Sequence, residues 1–221
     1  FVRFPIDTIK FSPLSSNNNS QVVQRLKACY VGTVSFSKMS HEFGDIIQAC
    51  KEFLDFVIVG EPHMEVYSNP KFQGANVTFA GHSNDVITHF RSSDIFVYPL
   101  RKGHYGTGEL ALVEAMSCGL PTVAFNNESE QSLIDNNNGI LCSSVEDFIN
   151  GLKSLSSKKD LRDSFGKSAR NKIIELYEFV NFDKTLGDFY NSLSCALDRA
   201  KYNVYREDLL EGVDNAGKVF V

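Results

Sequence analysis

The chain has 221 residues, 43% of them hydrophobic and 22% charged, and a formal net charge of -5. That length fills one large domain or two small ones, and that composition sustains a sizeable core, so disorder and fibrous structure are excluded as defaults. Lysine and arginine are spread along the chain without a basic cluster, which argues against nucleic acid as a main partner but leaves room for a local phosphate pocket.

The cysteines, Cys29, Cys50, Cys118, Cys142 and Cys195, are odd in number, widely separated and never in a CxxC pair. Neither a zinc site nor a disulfide framework is expected from them, and a reducing, cytosolic setting fits best. No uninterrupted apolar run approaches the ~18 residues needed to span a bilayer. The opening FVRFPIDTIKFSP lacks the layout of a signal peptide.

In chain order, a polar stretch at Ser15 to Ser20 precedes a predicted strand at Ala28 to Val34. Phe43, Ile46, Ile47, Cys50 and Phe53 stand at helical spacing. Strands are predicted at Phe56 to Gly60 and at Asn76 to Gly81, and Asn84-Asp85 is placed to cap a helix running to Ser93. A fourth strand, Ile95 to Leu100, leads into the loop Arg101 to Gly108 and a helix from Glu109 to Cys118, stopped by Gly119. Then come a strand at Pro121 to Phe125, a helix at Glu128 to Asp135 and a brief strand at Ile140 to Cys142. Helices at Ser144 to Leu155, Lys158 to Tyr177 and Phe182 to Ala200 follow.

Strands that are nearly all apolar and alternate with helices predict an α/β fold: a doubly wound, mostly parallel, Rossmann-like sheet with helices on both faces. Ligands of such sheets sit at the carboxyl ends of the strands, so the loops there carry the candidate chemistry. After the first strand, Gly32 permits a close backbone approach and Lys38 offers a point charge suited to phosphate, although a turn with a solvated lysine reads the same way. After the fourth strand, Arg101 and Lys102 precede Gly103, Gly106 and Gly108 and then a helix start, an arrangement suited to an anion. It is not a Walker A loop, and no GxGxxG follows the first strand.

Glu114, between apolar residues, needs a partner if buried, and ribose hydroxyls would serve; an exposed helix stripe is the other reading. Glu128 to Gln131 lie at the same edge of the sheet, where acids also suit a helix start. His104 is a base, a phosphate contact or simply an exposed loop residue, the last being the commoner fate of a lone loop histidine. His63, Glu65 and Tyr67 fall in a stretch read as irregular. No His, Asp and Glu set has metal-ligand spacing, and no GxSxG elbow is present.

The run from Gly106 through Glu114-Ala115-Met116-Ser117-Cys118-Gly119-Leu120-Pro121 to Ala124 resembles the signature of family 4, GT-B-fold glycosyltransferases. Glu130 to Asp135 with Asn138-Gly139-Ile140-Leu141 is similar to that family's acidic ending, and Tyr30-Val31-Gly32 to Lys38 to its phosphate loop. Val57 to Gly60 and Val77 to Gly81 match two further family strands, and Phe4 to Pro13 resembles its interdomain linker. The resemblance implies that Glu114, as second acid of an E-x7-E pair, holds the donor ribose and that Lys38 holds the donor diphosphate. Gly108 and Glu109 would then meet phosphate or sugar through the helix-start amides.

Two positions depart from the family: Gly106 stands where the first acid of the pair belongs, and Thr33 where a phosphate-loop arginine belongs. Glu109 is the substitute considered for the first, and Arg101 or Lys102 for the second. The resulting donor-binding set is Gly32, Thr33, Lys38, Arg101, Lys102, Gly106, Thr107, Gly108, Glu109, Leu110 and Glu114, with Glu109 and Lys38 as catalytic candidates and no metal ligand.

The resemblance implies one half of a GT-B fold, with 1-20 as linker and lead-in, 21-200 as donor-binding domain with C-terminal helices, and 201-221 as a tail of unknown role. It implies a retaining, metal-independent hexosyltransferase using a UDP- or GDP-linked sugar and no separate cofactor. The acceptor would be a glycan, lipid or protein. An acceptor-binding N-terminal domain, in the same or a separate chain, would complete the enzyme, because the chain is read as beginning at the linker. Its setting would be the cytoplasm or the cytoplasmic face of a membrane, through peripheral contact. The alternatives are a nucleotide-sugar-binding module without turnover and a GT-B-fold epimerase; a phosphorylase would show a lysine motif for pyridoxal phosphate, and none is visible.

Overall fold

The computed structural model describes residues 5–14, 25–74, 76–104 and 109–199, with the backbone alone for 180 and 193–199. The chain divides into two compact units, one of Ile6–Glu178 and one of Phe1–Pro5 with Phe179–Val221. The polar stretch at 15–20 and the tail at 201–221 lie outside the described residues.

The larger unit is built on one parallel sheet of β1 (Leu26–Val31), β2 (Leu54–Val59), β3 (Val77–Gly81), β4 (Ile95–Tyr98), β5 (Thr122–Phe125) and β6 (Gly139–Cys142). Their order in space is β3-β2-β1-β4-β5-β6, and every neighbouring pair is parallel. All four residues of β4 are buried, whereas the edge strand β3 has none buried. Parallel strands covered on both faces by crossover helices need apolar side chains on both sides, and this is why the central strands read as continuous apolar runs. β1 pairs with β2 from Leu26↔Leu54 to Val31↔Val59, but with β4 only through Ala28↔Ile95 and Cys29↔Phe96. The order reverses between β1 and β4, the place where a doubly wound sheet opens a crevice.

The helices are α1 (Phe43–Cys50), α2 (Met64–Tyr67), α3 (Val86–Arg91), α4 (Leu110–Ser117), α5 (Glu128–Gln131), α6 (Val145–Ser157) and α7 (Lys159–Tyr177). Phe43, Ile46, Ile47 and Cys50 bury the inner face of α1 as their spacing predicts. Asp85 caps α3 by accepting from the Thr88 amide, and Ser144 and Asp147 form a capping box that starts α6.

Three differences from the sequence reading have a local cause. β1 ends at Val31 because the chain turns at Gly32, and Val34 makes an isolated bridge to Pro62 instead. α5 stops at Gln131, since Leu133 and Ile134 turn inward to be buried while both of their amides donate to the Glu130 carbonyl. The stretch read as irregular holds α2 and a 3-10 turn at Pro70–Phe72, whose Phe72 is buried.

The segment Ile6 to Pro13 is folded onto this unit. The Ile6 amide donates to Tyr177 O, the Arg170 guanidinium reaches Thr8 O, Phe11 O and Ser117 O, and that of Arg91 reaches Lys10 O and Ser12 O. The second unit contributes α8 (Phe179–Arg199), on which Phe179, Phe189 and Tyr190 are exposed. No helix among the described residues is long and apolar enough to cross a membrane.

Two features of this fold give measurable consequences. Gly60 has φ +135°, and a Cβ there would lie 2.1 Å from Gly32 O, so the backbones after β1 and β2 touch where no side chain fits. Gly60→Ala is expected to lower stability by about 1–3 kcal/mol in urea denaturation, and a loss below about 0.5 kcal/mol would show that the loops separate easily. Cys29, Cys50, Cys118 and Cys142 are free and buried. Burial pushes the thiols of Cys29, Cys50 and Cys142 up to about 12 and that of Cys118 to about 11. Alkylating reagents attack the thiolate, so mass spectrometry of the native chain at about pH 8 should find these four unlabelled, and labelled only after unfolding.

Candidate functional site

Two loops meet at the carboxyl ends of β1 and β4. After β1 the Gly32 amide donates to Val59 O at 3.1 Å and the Tyr30 hydroxyl to Thr33 O at 2.8 Å. The chain then closes a tight turn in which Lys38 and Met39 both donate to Ser35 O. Its last residues run beside the loop after β4: the Arg101 amide donates to Lys38 O at 2.9 Å, and the Ser40 amide to Pro99 O at 2.8 Å. Lys38 and Arg101 are therefore backbone neighbours although far apart in sequence. The Lys38 side chain is half-buried, those of Arg101 and Lys102 are exposed, and none of the three forms an ion pair among the described residues. Three cations gathered without carboxylate partners make the crevice a place for an anion.

Two acids of this part of the chain are buried. Glu109, directly before α4, is 6% exposed and accepts a short hydrogen bond at Oε2 from the Tyr98 hydroxyl. Its Oε1 is buried without a partner among the described residues. Burial, with Glu109 adding to it, pushes the Tyr98 phenol far above its ordinary range, so Tyr98 stays protonated and donates. The free oxygen of Glu109 is left as an acceptor for a hydroxyl or amide donor. Glu130 is fully buried: its Oε2 accepts from Ser129 Oγ at 2.6 Å, and its Oε1 lies 3.4 Å from both Asn127 Nδ2 and His104 Nε2.

A cavity of about 610 Å³ opens between the β4 and β5 loops, lined by Lys102, Gly103, His104, Asn126, Asn127, Glu128, Ser129 and Gln131. A second, of about 630 Å³, shares Lys102, Asn126 and Asn127 with it and extends past Arg101 to His41 and Ser144. Both volumes suit a small polar ligand.

Of the residues singled out in the sequence, Lys38, Arg101 and Lys102 are brought together, and Arg101 and Lys102 line cavity walls. Thr33 is exposed in the β1 loop beside Gly32, and Leu110 is 56% exposed at the start of α4. Glu114 lies further along α4, half-buried, in neither wall, and its carboxylate has no hydrogen bond among the described residues. Burial raises its carboxyl above the usual range and Lys10 partly offsets this. Gly106, Thr107 and Gly108 lie outside the described residues.

His104 corrects the expectation of an exposed loop residue: its side chain is 4% exposed, because the Glu130 carboxylate draws it inward. Glu130 is a sequence candidate at this edge of the sheet and proves fully buried, whereas Tyr98 has no part in the sequence reading of the site. A phenol closing the apolar run of β4, and an acid one turn before Leu133 and Ile134 on a buried face, are the signals that carry them.

Comparison with known proteins gives the family of the chain. The family profile described as Glycosyl transferases group 1 matches residues 25–158. An uncharacterized glycosyltransferase of Methanocaldococcus jannaschii is 27% identical over 177 residues, covering 75% of this chain and 44% of that protein. A UDP-Gal:alpha-D-GlcNAc-diphosphoundecaprenol alpha-1,3-galactosyltransferase of Escherichia coli is 30% identical over 144 residues, covering 61% of this chain and 36% of that protein. The chain thus spans less than half the length of these curated relatives.

Among solved structures, Anabaena HepE in complex with UDP superposes with a TM-score of 0.74 at 17% identity, covering 86% of this chain and 57% of that one. The C-terminal domain of a Francisella tularensis group 1 glycosyl transferase, LpcC, gives 0.64 at 22% identity, covering 79% of this chain and 99% of that one. These likenesses establish the fold, the Rossmann-like sheet that these GT-B-type structures share, with a helical C-terminal extension. With the family profile matched over more than half of its residues, the chain belongs to the group 1 glycosyltransferases.

Proposed function

We propose that this chain is the donor half of a glycosyltransferase that moves a hexose from a nucleoside diphosphate sugar to an acceptor held by another domain, of the same or a separate chain. The observation that carries the reading is the backbone bond from Arg101 to Lys38, which sets the two cation-bearing loops side by side in the crevice. The diphosphate would lie against Lys38, Arg101 and Lys102. As the glycosidic bond breaks, negative charge grows on the leaving diphosphate, and cations already fixed in place stabilise it without reorganising. On this reading protein cations supply the charge that a metal ion supplies elsewhere, and the transfer is retaining. UDP is the favoured carrier, since HepE is solved with UDP and the Escherichia coli relative is named for UDP-Gal.

Glu114 would accept the ribose hydroxyls, which gives a half-buried carboxylate the partner that it lacks. Glu109 would offer Oε1 to a hydroxyl of the transferred sugar, taking over from the acid that Gly106 does not provide. Four buried, unpaired thiols support a reducing compartment as the setting.

Calorimetric titration of the chain with UDP, GDP and ADP, with and without magnesium, tests this directly. Saturable UDP binding that ignores magnesium is expected, weakened about tenfold or more in Lys38→Ala, from the ~1.5–3 kcal/mol of a hydrogen bond to a charged group. Binding of no nucleotide, or equal binding by the variant, would remove the reading or the lysine's part in it.

Glu114 gives a pH-dependent test. Its folded-state pKa is raised, so the folded chain holds this proton more tightly than the unfolded chain. The stability it adds is complete below the unfolded carboxylate pKa and is lost as pH rises through the folded value. Glu114→Gln should therefore melt a degree or two higher than the parent at about pH 8 and match it at about pH 4. A variant that melts lower at about pH 8 would show that the carboxylate is stabilised, not strained, where it lies.

A further inference from the structure

We infer that His104 is a positioning residue, and that its pairing with Glu130 is the second of two anchors that hold the turn Arg101-Lys102-Gly103 against the donor's diphosphate. The inference rests on the donor-half reading and extends it to residues that touch neither phosphate nor sugar.

The turn is short and exposed: Arg101, Lys102 and Gly103 all face solvent, and the His104 amide closes it by donating to Arg101 O at 3.2 Å. Left to itself, such a turn would let Lys102 wander, and a lysine loses rotamer and backbone entropy each time that it is brought to an anion. Its first end is fixed by the backbone, through Arg101 N to Lys38 O. Its second end is fixed by a side chain. The His104 ring, 4% exposed, sits 3.4 Å from Oε1 of a carboxylate that is itself 0% exposed.

Glu130 cannot easily follow the turn if it moves. Ser129 Oγ and Asn127 Nδ2 hold its two oxygens, and Asn127 Nδ2 also reaches Leu100 O, at the foot of the same turn. The anchor is therefore built into the β5 side of the crevice. Lys102, between the two anchors, lies in the wall common to both cavities. A buried carboxylate also needs a positive or hydrogen-bonding partner, and His104 is the ionisable partner at contact distance among the described residues. The pair thus resolves a burial cost and places a cation at once.

The test compares the parent chain with His104→Ala and with His104→Gln, whose amide nitrogen stands near the position of Nε2 and can still donate to Glu130. In the ligand-free chain, the exchange protection of the amide of residue 104, which bonds Arg101 O, should fall about tenfold in the alanine variant while β1 and β4 stay protected, and should return to the parent level in the glutamine variant. For UDP the alanine variant should bind about tenfold more weakly, with the glutamine variant near the parent, whereas uridine, which has no phosphate, should bind all three alike. Unchanged exchange in the alanine variant, or a glutamine variant that behaves as alanine does, would overturn the anchor. So would an equal loss of UDP and uridine affinity, which would mark a general disturbance of the fold. Quickened exchange in a chain whose parent form binds no UDP would keep the anchor and overturn the donor reading.

Discussion

Everything at the candidate site depends on the reversal of strand order between β1 and β4. On one side of that line the chain winds outward to β2 and β3, on the other to β4, β5 and β6, and the loops following β1 and β4 lie side by side across it. Their backbone groups still need partners, and they take them from each other: Arg101 from Lys38, and Ser40 from Pro99. A pair of loops bonded in this way carries its lysine and arginine on a frame set by the main chain.

A buried polar group of three residues is a second constraint. Tyr98, Glu109 and Glu130 are buried close enough for both acids to raise the tyrosine. Burying two carboxylates beside one another is costly unless each is well supplied with donors. Glu130 has His104, Asn127 and Ser129. Glu109 has Tyr98 at one oxygen and no described partner at the other. The asymmetry separates their parts: Glu130 is spent on structure, and Glu109 keeps an acceptor in reserve.

At the other end of the unit, the segment before β1 is held chiefly through its carbonyl oxygens, by Arg91 from α3 and Arg170 from α7. Ser117 of α4 adds a hydroxyl to Phe11 O. Bonds of this kind read the backbone and are indifferent to its side chains. The segment also brings Lys10 within electrostatic reach of Glu114, so the acid assigned to ribose already feels one cation of its own chain.

The sequence by itself determined the strands and their parallel pairing, because a strand buried on both faces must be apolar throughout and a helix declares itself every third or fourth residue. It marked Lys38, Arg101, Lys102, Glu109 and Glu114 through loop position and a family signature. Only the tertiary structure decided which of these meet. That Lys38 touches Arg101 follows from a backbone bond between loops on neighbouring strands, and backbone bonds leave no trace in side-chain pattern. The His104 side chain is buried against a carboxylate that comes from α5, and Glu109, at the start of α4, meets a phenol that stands on β4. Periodicity records how a residue faces its own element, whereas a site is made by what other elements bring to it.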